Sequence, residues 1–204
     1  MHEDLRSRIV AGARSRFKRY GYAKTSMQEI AKDCGMSAAN LYRYYDGKLG
    51  IGVAVAAELQ AELLAACDQA VTREAGQPTR RLVAFFETVI DVTRRQMKRT
   101  PLLFELRLAV AREKPEQRQG FLREIETRIV SILTPNPPQP APLAPDPAAM
   151  GRLVFLASAP FVLPWMMLNT PFGDPRPHVA PLVHCLISGL RAESLPQPSP
   201  SGIV

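Results

Sequence analysis

Apolar residues recur every three to four positions along most of this chain. The first such series, Leu5, Ile9, Ala13 and Phe17, predicts a helix over about residues 3–20 that packs one face inward and stops at Gly21. Ser26 with Glu29 three residues on has the form of a capping box, in which hydroxyl and carboxylate satisfy orphan amides at a helix start. A second helix should begin there. Met27, Ile30, Ala31 and Cys34 then fall at i, i+3, i+4 and i+7, while Gln28, Glu29, Lys32 and Asp33 take the other face. Gly35 can adopt the left-handed conformation that a tight helix-helix turn needs, and Met36 can plug the angle between the two helices. Ser37 caps a third helix, from Ala38 to about Tyr45, with Leu41 and Tyr45 on one face. The spacing is that of a helix-turn-helix.

The remainder also reads as helix. A long alanine- and leucine-rich stretch from about Gly47 to Ala75 leads out of the first unit without a flexible linker, so it would carry rotation and translation from one domain to the other. Prolines then mark three starts: Pro78 to Arg99, Pro101 to Lys114 and Pro115 to Leu133. In the first of these, Leu82, Phe85, Phe86, Val89, Ile90 and Val92 or Thr93 face inward. The segment TPNPPQPAPLAPDP, residues 134–147, is too rich in proline for helix or sheet and is expected as an exposed extended loop. Two last helices are expected from about Ala148 to Asn169 and from Arg176 to Ala192, followed by a disordered tail over 194–204. The first of the two is apolar nearly all round and needs cover on several sides.

Pro160 and Pro164 inside that helix predict a kink or break. Two readings stay open: a packing bend, or a kink that widens an apolar pocket lined by Phe155, Phe161, Trp165, Met166 and Met167. Phe86 and Phe104 complete the set of candidate ligand-binding residues. The expected organisation is all-α, with a three-helix domain over 1–47 and a larger helical domain over 48–193.

Composition and charge refine this picture. The chain has 204 residues, 46% of them hydrophobic, enough for one large or two small packed units. Its net charge is +7, and the excess is uneven: residues 1–50 hold 10 Lys and Arg against 5 Asp and Glu, the remainder 16 against 14. A basic module attracts a polyanion such as DNA, although a solvated surface accounts for charge alone equally well. No run approaches 18 to 20 uninterrupted apolar residues and the charged start MHEDLRSR has no apolar stretch behind it, so a cytoplasmic chain without membrane association is expected. Cys34, Cys67 and Cys185 are far apart and lack ligand-like spacing, which suggests neither disulfides nor zinc. GxSxG, HExxH, P-loop and Gly-rich dinucleotide motifs are absent, and His2, His178 and His184 are poorly placed for a shared site. Neither an enzyme nor a cofactor is expected, and no metal.

Thirteen positions in the first 55 residues resemble the tetracycline-repressor (TetR/AcrR) family: Phe17, Gly21 and Tyr22, Thr25 and Ser26, Ile30 and Ala31, Gly35 and Ser37, Leu41, Tyr42 and Tyr45, and Lys48. The chain departs from the family pattern where Tyr44 and Tyr45 replace a histidine and a phenylalanine, where Asp46-Gly47 replaces the commoner proline-serine turn, and at Leu49, where an acidic residue is frequent. The resemblance implies a homodimeric transcriptional regulator, most often a repressor, on a near-palindromic double-stranded operator with half-sites about one helical turn or slightly more apart. Its last two helices would pair with their copies, and a small-molecule effector in the second domain would lower operator affinity. Under this reading Thr25, Ser26 and Lys48 anchor phosphates at helix starts and Tyr42 contacts phosphate or sugar. Ser37, Ala38, Ala39 and Asn40, with Arg43 and Tyr44 further along, reach base edges, and Asn40 is the foremost candidate for a base hydrogen bond. So few direct readers leave room for specificity from half-site spacing and DNA shape. The competing reading is an interaction protein whose DNA-binding head recruits a partner without any small-molecule inducer.

Overall fold

The computed structural model describes residues 2–74, 77–134, 146–167 and 173–192, and among them every regular element is an α-helix. In chain order these are α1 (His2–Tyr20), α2 (Met27–Asp33), α3 (Ala38–Tyr42), α4 (Lys48–Arg73), α5 (Pro78–Arg99), α6 (Pro101–Glu113), α7 (Pro115–Leu133), α8 (Pro147–Val162), α9 (Pro164–Met167) and α10 (Arg176–Ala192). Three elements differ from expectation. The third helix ends at Tyr42 rather than Tyr45, because the chain turns to enter α4 and leaves Arg43 as a cap. The last residue of the proline-rich stretch, Pro147, is the first residue of α8, where its missing amide costs nothing. Asp146 caps this start, its carboxylate accepting from the amides of Ala148 at 2.9 Å and Ala149 at 3.1 Å. Residues 135–145 of the expected loop and the expected tail lie outside the described residues. The expected break is at Leu163: Pro160 stays within α8, whereas Pro164 opens the separate short helix α9.

Two apolar cores organise the molecule. The smaller joins Ile9, Ala13 and Phe17 of α1, Ile30 of α2 and Leu41 of α3 to Ile51, Val55 and Leu59 of α4 and to Leu103, Leu106 and Val110 of α6. The expected boundary at residue 47 therefore falls inside a packed unit, and the head is seated on the first half of α4 and on one face of α6. The larger core is built from Leu63, Cys67 and Val71 of α4, Leu82, Phe85, Phe86, Val89 and Ile90 of α5, the α7 series Phe121, Ile125, Ile129 and Ile132, and Val154, Val183 and Ile187. Each fully buried residue of this size contributes about 1.5–3 kcal/mol of apolar burial, so α4, which feeds both cores, ties head and body together strongly. Helix α4 is also long and apolar enough to cross a membrane by length and composition, and its buried residues, 39% of the most apolar stretch, are divided between the two cores. Helices α7 and α8 approach closely at Gly151, where an added Cβ would lie 2.4 Å from Cγ2 of Val130.

Candidate nucleic-acid interface

The turn between α2 and α3 is built by local chemistry. Gly35 takes φ +67°, its amide donates to the carbonyl of Lys32 at 3.1 Å, and that of Met36 donates to Ala31 at 3.0 Å. This paired closure ends α2 in the left-handed manner that suits glycine, and Met36 packs on the head core. Ser37 then caps α3, its hydroxyl accepting from the amide of Asn40 at 3.2 Å. At the start of α2 the capping box is complete. The amide and hydroxyl of Ser26 both donate to Oε2 of Glu29, at 2.8 and 2.9 Å, and the amide of Glu29 donates back to the Ser26 hydroxyl at 3.3 Å. The backbone amide of Ser26 first, then its hydroxyl, holds the Glu29 carboxyl below its usual range. Arg16 of α1 pairs with both Glu29 and Asp33, which fixes α2 against α1.

These helices display an outer surface of uneven quality. Tyr42 is 52% exposed, and Ser37, Ala39 and Arg43 are exposed beside it. Asn40 is half-buried, and Ala38 and Tyr44 are half-buried with part of their surface against the head core. Leu41 is fully buried, as a scaffold residue should be. Two expected anchors are otherwise employed. Thr25 is only 3% exposed and its hydroxyl donates to the carbonyl of Gly21 at 2.8 Å, so its side chain braces the turn after α1 instead of facing outward. Lys48 is half-buried; its ammonium donates to the carbonyls of Tyr22 at 2.9 Å and Ala23 at 3.4 Å and stands 4.6 Å from the centre of the Tyr22 ring. It clamps the start of α4 onto the loop before α2.

With Thr25 and Met27 directed inward, the alternate residues Lys24, Ser26 and Gln28 are left exposed at the entry to α2. Lys24 and Gln28 escaped sequence reasoning, and the inward set of the turn was the signal that finds them. Among the described side chains, the candidate ligand-binding residues are not gathered into one wall. Phe86 is buried in the body core edge-on to Phe85, with ring centres 5.5 Å apart, and Phe155 is half-buried against the same core. Phe104 is buried on α6, whereas Met166, beyond the break at Leu163, is exposed. The side chains of Phe161 and Trp165 lie outside the described ones. Met167 borders a small cavity of about 230 Å³ with Arg94, Met97 and Lys98. A larger cleft of about 740 Å³ lies between head and body, lined among others by Arg19, Lys24, Leu102 and Glu105. Among the described residues no cluster of three or more metal-ligating side chains occurs.

Comparison with known proteins adds to this geometry. Residues 9–55 match the family model for bacterial regulatory proteins of the tetR family, and residues 78–177 match that of the tetracyclin repressor-like C-terminal domain. No match was found among curated proteins. Among solved structures, the chain is similar to a transcriptional regulator of Pseudomonas aeruginosa PAO1, with 18% identity, TM-score 0.61 and coverage of 94% of this chain and 92% of the other. The TetR family repressor AlkX of Dietzia sp., implicated in biodegradation of n-alkanes, gives 16% identity and TM-score 0.60 over 91% of this chain and 95% of its own. RolR, solved in complex with resorcinol, gives 14% and 0.61 over 96% and 97%. At these identities the likeness is one of fold, and it extends over both the head and the body. With both domain models matched in order and the helix-turn-helix formed, the chain belongs to the tetR family of bacterial regulatory proteins and is a DNA-binding transcriptional regulator.

Proposed function

We propose that this regulator is a cytoplasmic homodimeric repressor that occupies a near-palindromic operator and leaves it when a small molecule binds the body. The observation that carries this reading is the double duty of α6. Its Leu103, Leu106 and Val110 lie in the head core, while Phe104 and Arg107, on the same helix, are buried outside that set. A ligand that moved α6 would move the seat of the head, and the two heads of a dimer would lose the spacing that two successive major grooves require. Its effect on operator affinity equals its differential affinity for the two arrangements.

Base contacts are assigned to the exposed start of α3 and to Arg43, with Asn40 the one side chain there suited to bidentate bonding of adenine. Tyr42, Ser26, Lys24 and Gln28 are assigned to the backbone of the duplex. For the dimer, α8 offers Leu153 and Leu156, the latter 60% exposed, and α10 offers the exposed Ala180 and Pro181. Large apolar side chains left outside on the last helices suit a partner copy. The complex of RolR with the ligand resorcinol and the implication of AlkX in biodegradation of n-alkanes are in keeping with a small organic effector. The test is selection of duplexes from a random pool by the intact protein, followed by anisotropy titration at matched salt. An enriched inverted repeat, bound at least about a thousandfold tighter than random DNA, is expected; enrichment of nothing above random DNA would refute the reading.

A further inference from the structure

Arg107, on α6, is 6% exposed and has an incomplete set of partners. Its Nη1 donates to Oε1 of Gln96 on α5, and its guanidinium carbon stands 5.9 Å from the centre of the Phe121 ring on α7. Its Nε has no hydrogen-bond partner. Among the described residues it forms no ion pair, and burial alone, with no compensating anion, lowers its pKa to about 10. A buried guanidinium is normally matched by a carboxylate, because an uncompensated charge in an apolar setting is costly. The described residues do not supply that carboxylate.

A second orphan lies nearby. Thr93 is fully buried on α5 and its hydroxyl has no partner either. Thr93 and Gln96 are three residues apart on one helix, so their side chains are neighbours on the face that holds Arg107, with Cβ atoms about 5–6 Å apart. Helical spacing therefore sets both unsatisfied donors on the sides of α5 and α6 that pack together. Apolar groups surround them: Ile90 one turn before Thr93, Phe104 one turn before Arg107, and Phe121 itself. The Phe121 ring also lines a groove of about 470 Å³ between α4 and α7, together with Ala61, Leu64, Gln117 and Gly120.

We infer that the body binds a small apolar monocarboxylate, its two oxygens on the Nε edge of Arg107 and on the Thr93 hydroxyl, its apolar part against Phe104 and Phe121. The inference rests on the reading of the body as the effector domain and names the chemistry of the effector. The side-on edge of a guanidinium offers two parallel N–H donors, which a carboxylate meets with both oxygens. The Gln96 contact fixes the plane of the fork from the opposite side. Because Arg107 shares α6 with Leu103 and Leu106, an anion that draws on Arg107 acts on the helix that seats the head.

The intact protein is tested by thermal shift and calorimetric titration with benzoate and octanoate, each against its uncharged amide. At least one carboxylate is expected to raise Tm with concentration while its amide does not. Arg107→Met, which keeps the volume and removes a desolvated charge, is expected to fold and to bind that carboxylate more than tenfold more weakly. Thr93→Val, nearly isosteric, is expected to weaken it about threefold to tenfold, since it removes one donor to a charged group. The inference is overturned if neither carboxylate shifts Tm, or if binding survives both substitutions. Operator affinity of the same preparations is measured in parallel. A protein that holds its operator and is released only by uncharged compounds would sink the carboxylate and leave the regulator; one that binds carboxylate but no duplex would do the reverse.

Discussion

The ammonium of Lys48 is spent on Tyr22: it donates to the Tyr22 carbonyl at 2.9 Å and rests 4.6 Å from the centre of the Tyr22 ring. The first turn of α4 is thereby fastened to the loop that leads into α2. Lys48→Met removes the hydrogen bonds and the cation-ring contact together and is expected to lower stability by about 1–2 kcal/mol. Operator affinity should fall as the head loosens. The slope of log K against log salt should stay unchanged, whereas loss of a phosphate contact would reduce it by about 1. Salt titration of the wild type and the variant separates the two roles.

Tyr42 and Asn40 should fail in different ways. Tyr42→Ala removes an exposed ring from the outer face of α3 and is expected to weaken binding about equally for all sequences. Asn40→Ala is expected to relax preference at one base position in each half-site, at about 1–3 kcal/mol. Quantitative selection with both variants reads these outcomes, and an unchanged preference for Asn40→Ala would remove it as a reader.

The capping box makes the head sensitive to acid. Glu29 has its carboxyl pKa lowered by the amide and hydroxyl of Ser26, so its contribution is present above the ordinary value of 4.5 and is lost as pH falls through the lower folded value. Stability of the head should therefore decline with acidification below that point. Glu29→Gln can still accept from Ser26 and should be less stable at neutral pH but flatter in this window. Thermal melts from pH 3 to pH 7 check the difference in slope.

Leu156 projects from α8 with 60% of its surface exposed, and the proposed dimer makes that exposure temporary. Leu156→Glu is expected to yield a folded monomer, because the site is outside the body core, and to weaken operator binding at least about a hundredfold by removing the second head. Sedimentation velocity and circular dichroism read assembly and fold separately. A dimeric variant with wild-type affinity would place the interface elsewhere.

Much of this molecule was legible in its sequence because the signals were local. Ser26 with Glu29, Gly35, and Ser37 each specify one backbone event, and each event occurs where the residue stands. Prolines at 78, 101 and 115 likewise open the helices they announce. What escaped depends on the third dimension. Nothing local to Thr25 says that its hydroxyl turns to Gly21, and nothing local to Lys48 names Tyr22, 26 residues earlier, as its partner. The conspicuous aromatic residues of the body leave a packing bend and an apolar pocket equally readable from the sequence. Nothing local to Arg107 distinguishes it from the other arginines of the body, since only the packing of α5 and α7 around it exposes its lack of a counter-ion.

The most direct measurement of the central claim is a hydroxyl-radical footprint of the intact protein on its selected duplex, with the mass of the complex determined on the same sample. Two protected segments about one helical turn apart, related by an inverted repeat and held by at least one pair of protomers, are expected. A single protected segment held by one protomer, or protection without sequence preference, would contradict it.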